Sequence, residues 1–267
     1  MNIPINIKLP TTWNELSPKQ LGEVAYILEY FRAQEKTRQQ DFRFYVRFYF
    51  QLVKQLLRSE KWYKVYIAIR QIPPMNYKKH VEFLLHGVSR TSFPKKLKAG
   101  KHTMLPPADK LKNISIEEFS FADALFYRWQ ELGNDEYLQL LCATLYRPKG
   151  GNEYDPREPF NKVMVEKRFD CFNKVPYKKQ LAIGYTYLGC RNHIVSLYPH
   201  IFPKPYEPKE EEEKKPRPKP KYVPFGRLIN FKVKFDPSKI EATEKINVHK
   251  FLSNYENELI ELKKQKK

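Results

Sequence analysis

Glycine is scarce in this chain: 9 residues against 21 prolines. That balance argues against folds that cradle nucleotide phosphates in glycine-rich loops. The Gly100-Lys101 pair invites such a loop, but the pattern would require glycine at Lys95 and a hydroxyl at His102. Both departures remove the mechanism, since one supplies the tight turn and the other the metal ligand. Gly-x-Ser-x-Gly and His-Glu-x-x-His are absent as well, which excludes the commonest serine-nucleophile and zinc-hydrolase patterns. Cysteine is limited to Cys142, Cys171 and Cys190. An odd count without paired spacing fits buried thiols in a reducing compartment rather than a disulfide framework. Cys190 and His193 have ligand-like spacing, with Cys171 and His200 nearby in sequence. A zinc site requires a second tight pair, so no metal and no cofactor is expected. No apolar run approaches the about 18 residues of a membrane span, and the N-terminus has no basic-then-apolar leader pattern. The expectation is a soluble, cytoplasmic, non-enzymatic protein without a catalytic residue set.

What is abundant is aromatic and basic. The 267 residues are 41% hydrophobic and 15% aromatic, enough for a sizeable core. The net charge is +19. Residues 1–203 hold 32 Lys and Arg against 19 Asp and Glu, so most of the excess belongs to the main body.

The apolar spacing predicts an all-α, multi-helix domain over 1–203 built with helical hairpins. Ser17-Pro18-Lys19-Gln20 is a capping box with proline at the first helical position, followed by the stripe Leu21, Val24, Ala25, Leu28 and Phe31. A second helix is expected from about Gln40 to Leu57. Residues 62–72 suit a strand by composition, but no partner strand is evident, which favours a helix. A short helix is expected over Tyr77–Val88. The basic stretch from Phe93 to Asn113 shows little periodicity and reads as a long connection. Ser115-Ile116-Glu117-Glu118 is a second capping box, with Glu118 expected to reach back to the Ser115 amide. Gly133 suits a left-handed helix end and Asn134 or Asp135 a new cap, so Ile114–Lys149 reads as a helical hairpin closed by Pro148. Two more helices follow, over Phe160–Phe172 and Tyr177–Tyr198. The proline- and charge-rich residues 204–221 read as a linker. Residues 222–267 then carry a tethered C-terminal helix.

Two surfaces stand out. On the last helix Val248, Phe251, Leu252, Tyr255 and Leu259 form one apolar stripe. Such a helix is marginal alone, so it either docks on its own chain or fills a partner groove. On the second helix Arg43, Arg47, Lys54 and Arg58 fall within an arc of roughly 60°. That stripe is either a solvated face or a track for phosphates or an acidic protein. The lysines at 95, 96, 98, 101, 110 and 112 could extend it.

The hairpin block carries a family resemblance. Leu105-Pro106-Pro107 leads to Asn113, then Glu118-Phe119-Ser120-Phe121-Ala122-Asp123, closing with Leu140-Leu141-Cys142-Ala143-Thr144-Leu145-Tyr146-Arg147-Pro148. Together with Glu244 to Leu252 and the opening Leu9 to Ser17, this resembles proteins of phage and prophage tail gene clusters of the tail-assembly-chaperone type. The Pro-, Glu- and Lys-rich linker departs from that pattern. The resemblance implies an α-helical, non-enzymatic protein that keeps a tape-measure-type client soluble in the host cytoplasm. A basic nucleic-acid-binding protein of a phage or mobile element is the alternative.

Overall fold

Side-chain caps set where the helices begin. A computed structural model describes residues 6–39, 41–203 and 224–265. Ser17 Oγ accepts from the Gln20 amide while Gln20 accepts from the Ser17 amide, opening α1 (Pro18–Glu35). Asp41 accepts from the Phe44 amide at 3.1 Å and opens α2 (Phe42–Leu56). The ambiguous 62–72 stretch forms a helix, α3 (Trp62–Gln71), followed by α4 (Tyr77–Leu85). Ser115 accepts from the Glu118 amide at the head of α5 (Ile116–Leu132). Gly133, at φ +65°, ends that helix in the left-handed conformation, and Asn134 caps α6 (Asp135–Leu145). Next come α7 (Lys162–Phe172), capped by Asn161, and α8 (Tyr177–Leu197). The last three are α9 (Phe225–Lys232), α10 (Pro237–Glu244) and α11 (Val248–Gln265). The expected all-α architecture is therefore the observed one.

One correction falls in the basic stretch after Phe93. It holds an antiparallel hairpin of β1 (Leu97–Ala99) and β2 (His102–Met104), with Leu97 opposite Met104. Gly100 makes its turn at φ +60°. Leu97, Ala99 and Met104 point inward while the lysines face solvent. Three-residue strands are too short for alternation to register against the surrounding charge.

The core is organised around α8, buried along most of its length. The crossing of α1 on α8 is so close that a Cβ on Gly22 would lie 2.8 Å from the Lys178 carbonyl. Gly189 likewise lies against the backbone of Arg90. Arg90 is itself buried and donates to the carbonyls of Trp13, Asn14 and Leu16, fixing the N-terminal turn. The α5–α6 hairpin packs on α8 through Trp129, Leu138, Leu141 and Cys142.

The C-terminal helices belong to the same core. Phe225, Ile229, Val248, Phe251 and Leu252 join the cluster that contains Phe119 and Tyr187. The Ile116 amide donates to Ile246 O at 2.8 Å and the Val248 amide to Ile114 O at 3.0 Å. Asn247 caps α11 by accepting from the His249 and Lys250 amides and donates to Lys112 O. Of the two fates open to an amphipathic C-terminal helix, docking on its own chain is the one realised. The linker expected over 204–221 lies outside the described residues.

A second correction concerns Glu118. Its amide is capped by Ser115, but its carboxylate turns inward instead of back to the Ser115 amide. It meets Arg147 Nη2 at 2.8 Å and Arg157 Nη1 at 3.0 Å, with all three side chains at 2% exposure or less. Asp155 closes the network, 3.2 Å from Arg147 and 2.8 Å from Arg157. Burial pushes the Glu118 carboxyl up and the two guanidinium groups oppose it. Removing one partner of such a group leaves buried charge uncompensated. Glu118→Ala is expected to lower the unfolding free energy by about 3–5 kcal/mol. Glu117→Ala, which loses only a partly exposed contact to Lys162, should cost less than about 1 kcal/mol. Urea titration of both variants checks this; equal losses would show that the network contributes nothing special.

Candidate interaction surfaces

The apolar stripe of α11 outlasts the core beneath it. Val248, Phe251 and Leu252 are buried, Tyr255 and Leu259 are half-buried, and Leu262 stands 52% exposed. Three of the five residues expected to grip a partner are thus used within the chain. Tyr255 instead borders a groove of about 680 Å³ between α9 and α11, lined also by Phe231, Lys234, Glu261 and Leu262. Phe231 and Phe235 pack edge to face and are each more than 60% exposed. Lys234 and Phe235 reverse the chain with positive φ, which holds Phe235 against Phe231 rather than against the core. Lys232 pairs with Glu258 beside the groove.

Docking of α11 is held by polar contacts as well. Glu256 accepts from the His200 amide at 2.9 Å, from His200 Nδ1 at 2.7 Å and from the Ile201 amide at 3.0 Å. Tyr198 donates to His249 O, and His249 Nε2 lies 3.0 Å from Lys110 O. Sequence spacing gave no sign of these pairings, which join residues about 50 or more positions apart.

Of the four basic residues, Arg43, Arg47 and Lys54 lie on α2 and Arg58 in the 3-10 turn that follows it. Arg43, Arg47, Lys54 and Arg58 are all exposed, while Phe44, Phe48, Leu52 and Leu56 on the other face are buried. Arg58 is tied to Glu23 at 3.2 Å. Arg43, Arg47 and Lys54 have no ion-pair partner among the described residues.

A third surface escaped the sequence. The starts of α1 and α8 and the segment before β1 enclose a cleft of about 610 Å³. Gly22, Leu97, Tyr146, Ala182 and Ile183 form its buried walls, and Pro18, Pro94 and Pro176 border it. Lys19, Lys95, Lys96, Lys178 and Lys179 stand on its rim, with Glu23 as the one acid. Lys95 and Lys96 come from the basic stretch; Lys98, Lys101, Lys110 and Lys112 do not reach the cleft. One signal was legible. Lys19, Lys178 and Lys179 sit in first helical turns that contain no acidic residue, where a helix dipole disfavours cations.

Burial pushes the Cys142 thiol far up and the Cys190 thiol up to about 12, so neither is a ready nucleophile near neutral pH. Among the described residues no cluster of three or more His, Cys, Asp or Glu is placed to hold a metal ion, and no helix is long and apolar enough to cross a membrane. Comparison with protein-family models, curated proteins and solved structures gives no match for this chain.

The Glu256 clamp makes α11 docking pH-dependent. Burial would raise its carboxyl, but the His200 amide, the His200 ring and the Ile201 amide outweigh it, and the pKa lies below the ordinary 4.5. A depressed carboxyl stabilises the fold above the unfolded pKa, and that contribution fades as pH falls through the folded value. The protection of α11 amides, taken relative to their intrinsic exchange rate at each pH, should therefore fall below about pH 4.5 in the native chain. Glu256→Gln should exchange faster at neutral pH and lose most of that pH response; an unaltered profile would remove Glu256 from the account.

Proposed function

We propose that this protein is a non-enzymatic binding protein that holds an amphipathic helix of a protein client, in the manner of a phage tail assembly chaperone for a tape-measure-type chain. The observation that carries this reading is the groove between α9 and α11, where Phe231 and Leu262 leave large hydrophobic surface uncovered next to half-buried Tyr255, with exposed Phe235 packed on Phe231, beside the charged residues Lys232, Lys234, Glu258 and Glu261. Exposed aromatic surface of this kind, rimmed by polar groups, is what a helix-in-groove contact uses. The resemblance of the α5–α6 block supplies the tail-cluster context. The binding element is not the whole C-terminal stripe. Val248, Phe251 and Leu252 hold α11 in place, and the outer end of that helix, with α9, meets the client.

A second reading rests on a separate observation. Arg43, Arg47 and Lys54 present a row of cations with no ion-pair partner among the described residues, in a chain of net charge +19, which suits a nucleic-acid backbone.

Two experiments separate these readings. Phe231→Asp with Leu262→Asp should leave the helical signal intact, because both side chains are mostly exposed. It should also abolish the ability of the protein to keep a co-expressed tape-measure-type tail protein in the soluble fraction. Retained solubilisation by the double variant would overturn the groove. If the stripe binds duplex DNA instead, changing Arg43, Arg47 and Lys54 to Gln should reduce the slope of log affinity against log salt by about 3. Absence of binding by the native chain at low salt would remove that reading.

A further inference from the structure

The lysine-rimmed cleft at the starts of α1 and α8 shares no lining residue with the groove and meets the basic stripe only through Glu23. We infer that it is a binding site for an amphiphilic anion: an unbranched apolar chain ending in a carboxylate or phosphate.

Size is the first consideration. A cleft of about 610 Å³ falls within the range that encloses small organic ligands, roughly 300–1,000 Å³. Wall chemistry is the second. Gly22, Leu97, Ala182 and Ile183 offer only apolar or backbone surface. Tyr146 is the one neutral polar side chain, and its hydroxyl is already donated to Pro94 O at 2.6 Å. No neutral side chain there is free to read the edge of a base, a sugar or an amide. A ligand body rich in hydrogen-bonding groups would lose its water without replacement. A plain hydrocarbon loses nothing.

Charge is the third. Glu23 already bridges Lys178 at 2.7 Å and Arg58 at 3.2 Å. Lys19, Lys95, Lys96 and Lys179 have no ion-pair partner among the described residues. They repel one another, and Lys19 and Lys179 also oppose the positive ends of the helices that carry them. An anionic head at the mouth would neutralise this repulsion, and lysine suits carboxylate and phosphate alike because it acts as a point charge. A phosphodiester backbone would match the lysines but leave the apolar walls unused.

The test uses the full chain and calorimetric titration with decanoate, decyl phosphate, decanol, acetate and inorganic phosphate. Decanoate and decyl phosphate should bind saturably at one per chain. Decanol should bind at least about tenfold more weakly, and acetate and phosphate should show no comparable binding. The variant with Lys19, Lys95, Lys96 and Lys179 all changed to Gln should lose about tenfold or more in affinity for the two anions while decanol is unaffected. These four side chains are exposed, so the variant is expected to melt no lower than the native chain. Cross-linking with a diazirine-bearing decanoate should label residues 18–23, 94–97 and 176–183. Comparing decanoate with anionic phospholipid vesicles distinguishes a free acyl anion from a lipid headgroup as the source. Labelling elsewhere, equal affinity for decanol, or binding to vesicles without binding to monomeric decanoate would each overturn the site.

Discussion

The burial of Glu118 between Arg147 and Arg157 constrains this structure more than any other single contact. Charges removed from water cost several kcal/mol each unless they are paired in good geometry. That penalty dictates position. Glu118 sits in the first turn of α5, Arg147 just beyond the end of α6, and Arg157 in the loop before α7. The three meet only if both ends of the hairpin and the loop are in place together. Asp155 then engages both guanidinium groups, and Glu158 pairs with Arg168 of α7 at 3.3 Å. A turn-rich loop with Gly150 and Gly151 is thereby held by charge rather than by apolar burial. The residues just before α5 carry the backbone bridge to Asn247, so the seat of α11 inherits the same order.

That seat explains how the apolar surface is divided. An 18-residue helix of alternating charge and oil gains little by forming alone. Its first half completes the core over Phe119 and Phe225, and its second half projects past that core. The projecting end exposes Leu262 across the groove from Phe231. Closing the fold and presenting a hydrophobic groove are two halves of one helix.

The positive surfaces are linked as well. Glu23, on α1, touches both Arg58 at the end of the α2 stripe and Lys178 at the edge of the cleft. One carboxylate thus sits between two cationic regions and compensates only one end of each. The remaining charge is left to solvent or to a ligand, in keeping with a chain whose excess of Lys and Arg lies mainly in residues 1–203.

Helix starts and stops were legible in the order of residues because they are local. Ser17, Ser115, Gly133 and Asn134 act on amides or backbone angles within four residues, so spacing is sufficient to read them. The same holds for the outward face of α2, since 100° per residue places Arg43, Arg47 and Lys54 together whatever lies behind, with Arg58 in the 3-10 turn that follows. The short β1–β2 hairpin was hidden because three residues of alternation are indistinguishable from a charged loop. The inward turn of Glu118 was hidden because its partners are 29 and 39 positions away. The cleft was hidden for the same reason: its lysines come from three separate stretches that only the crossing of α1 on α8 at Gly22 brings to one rim. Sequence alone determined what each segment would become, because propensity and capping act over a turn of helix. Tertiary structure decided which charges are spent, which faces are covered and where a cavity opens, because those depend on distances that no local rule encodes.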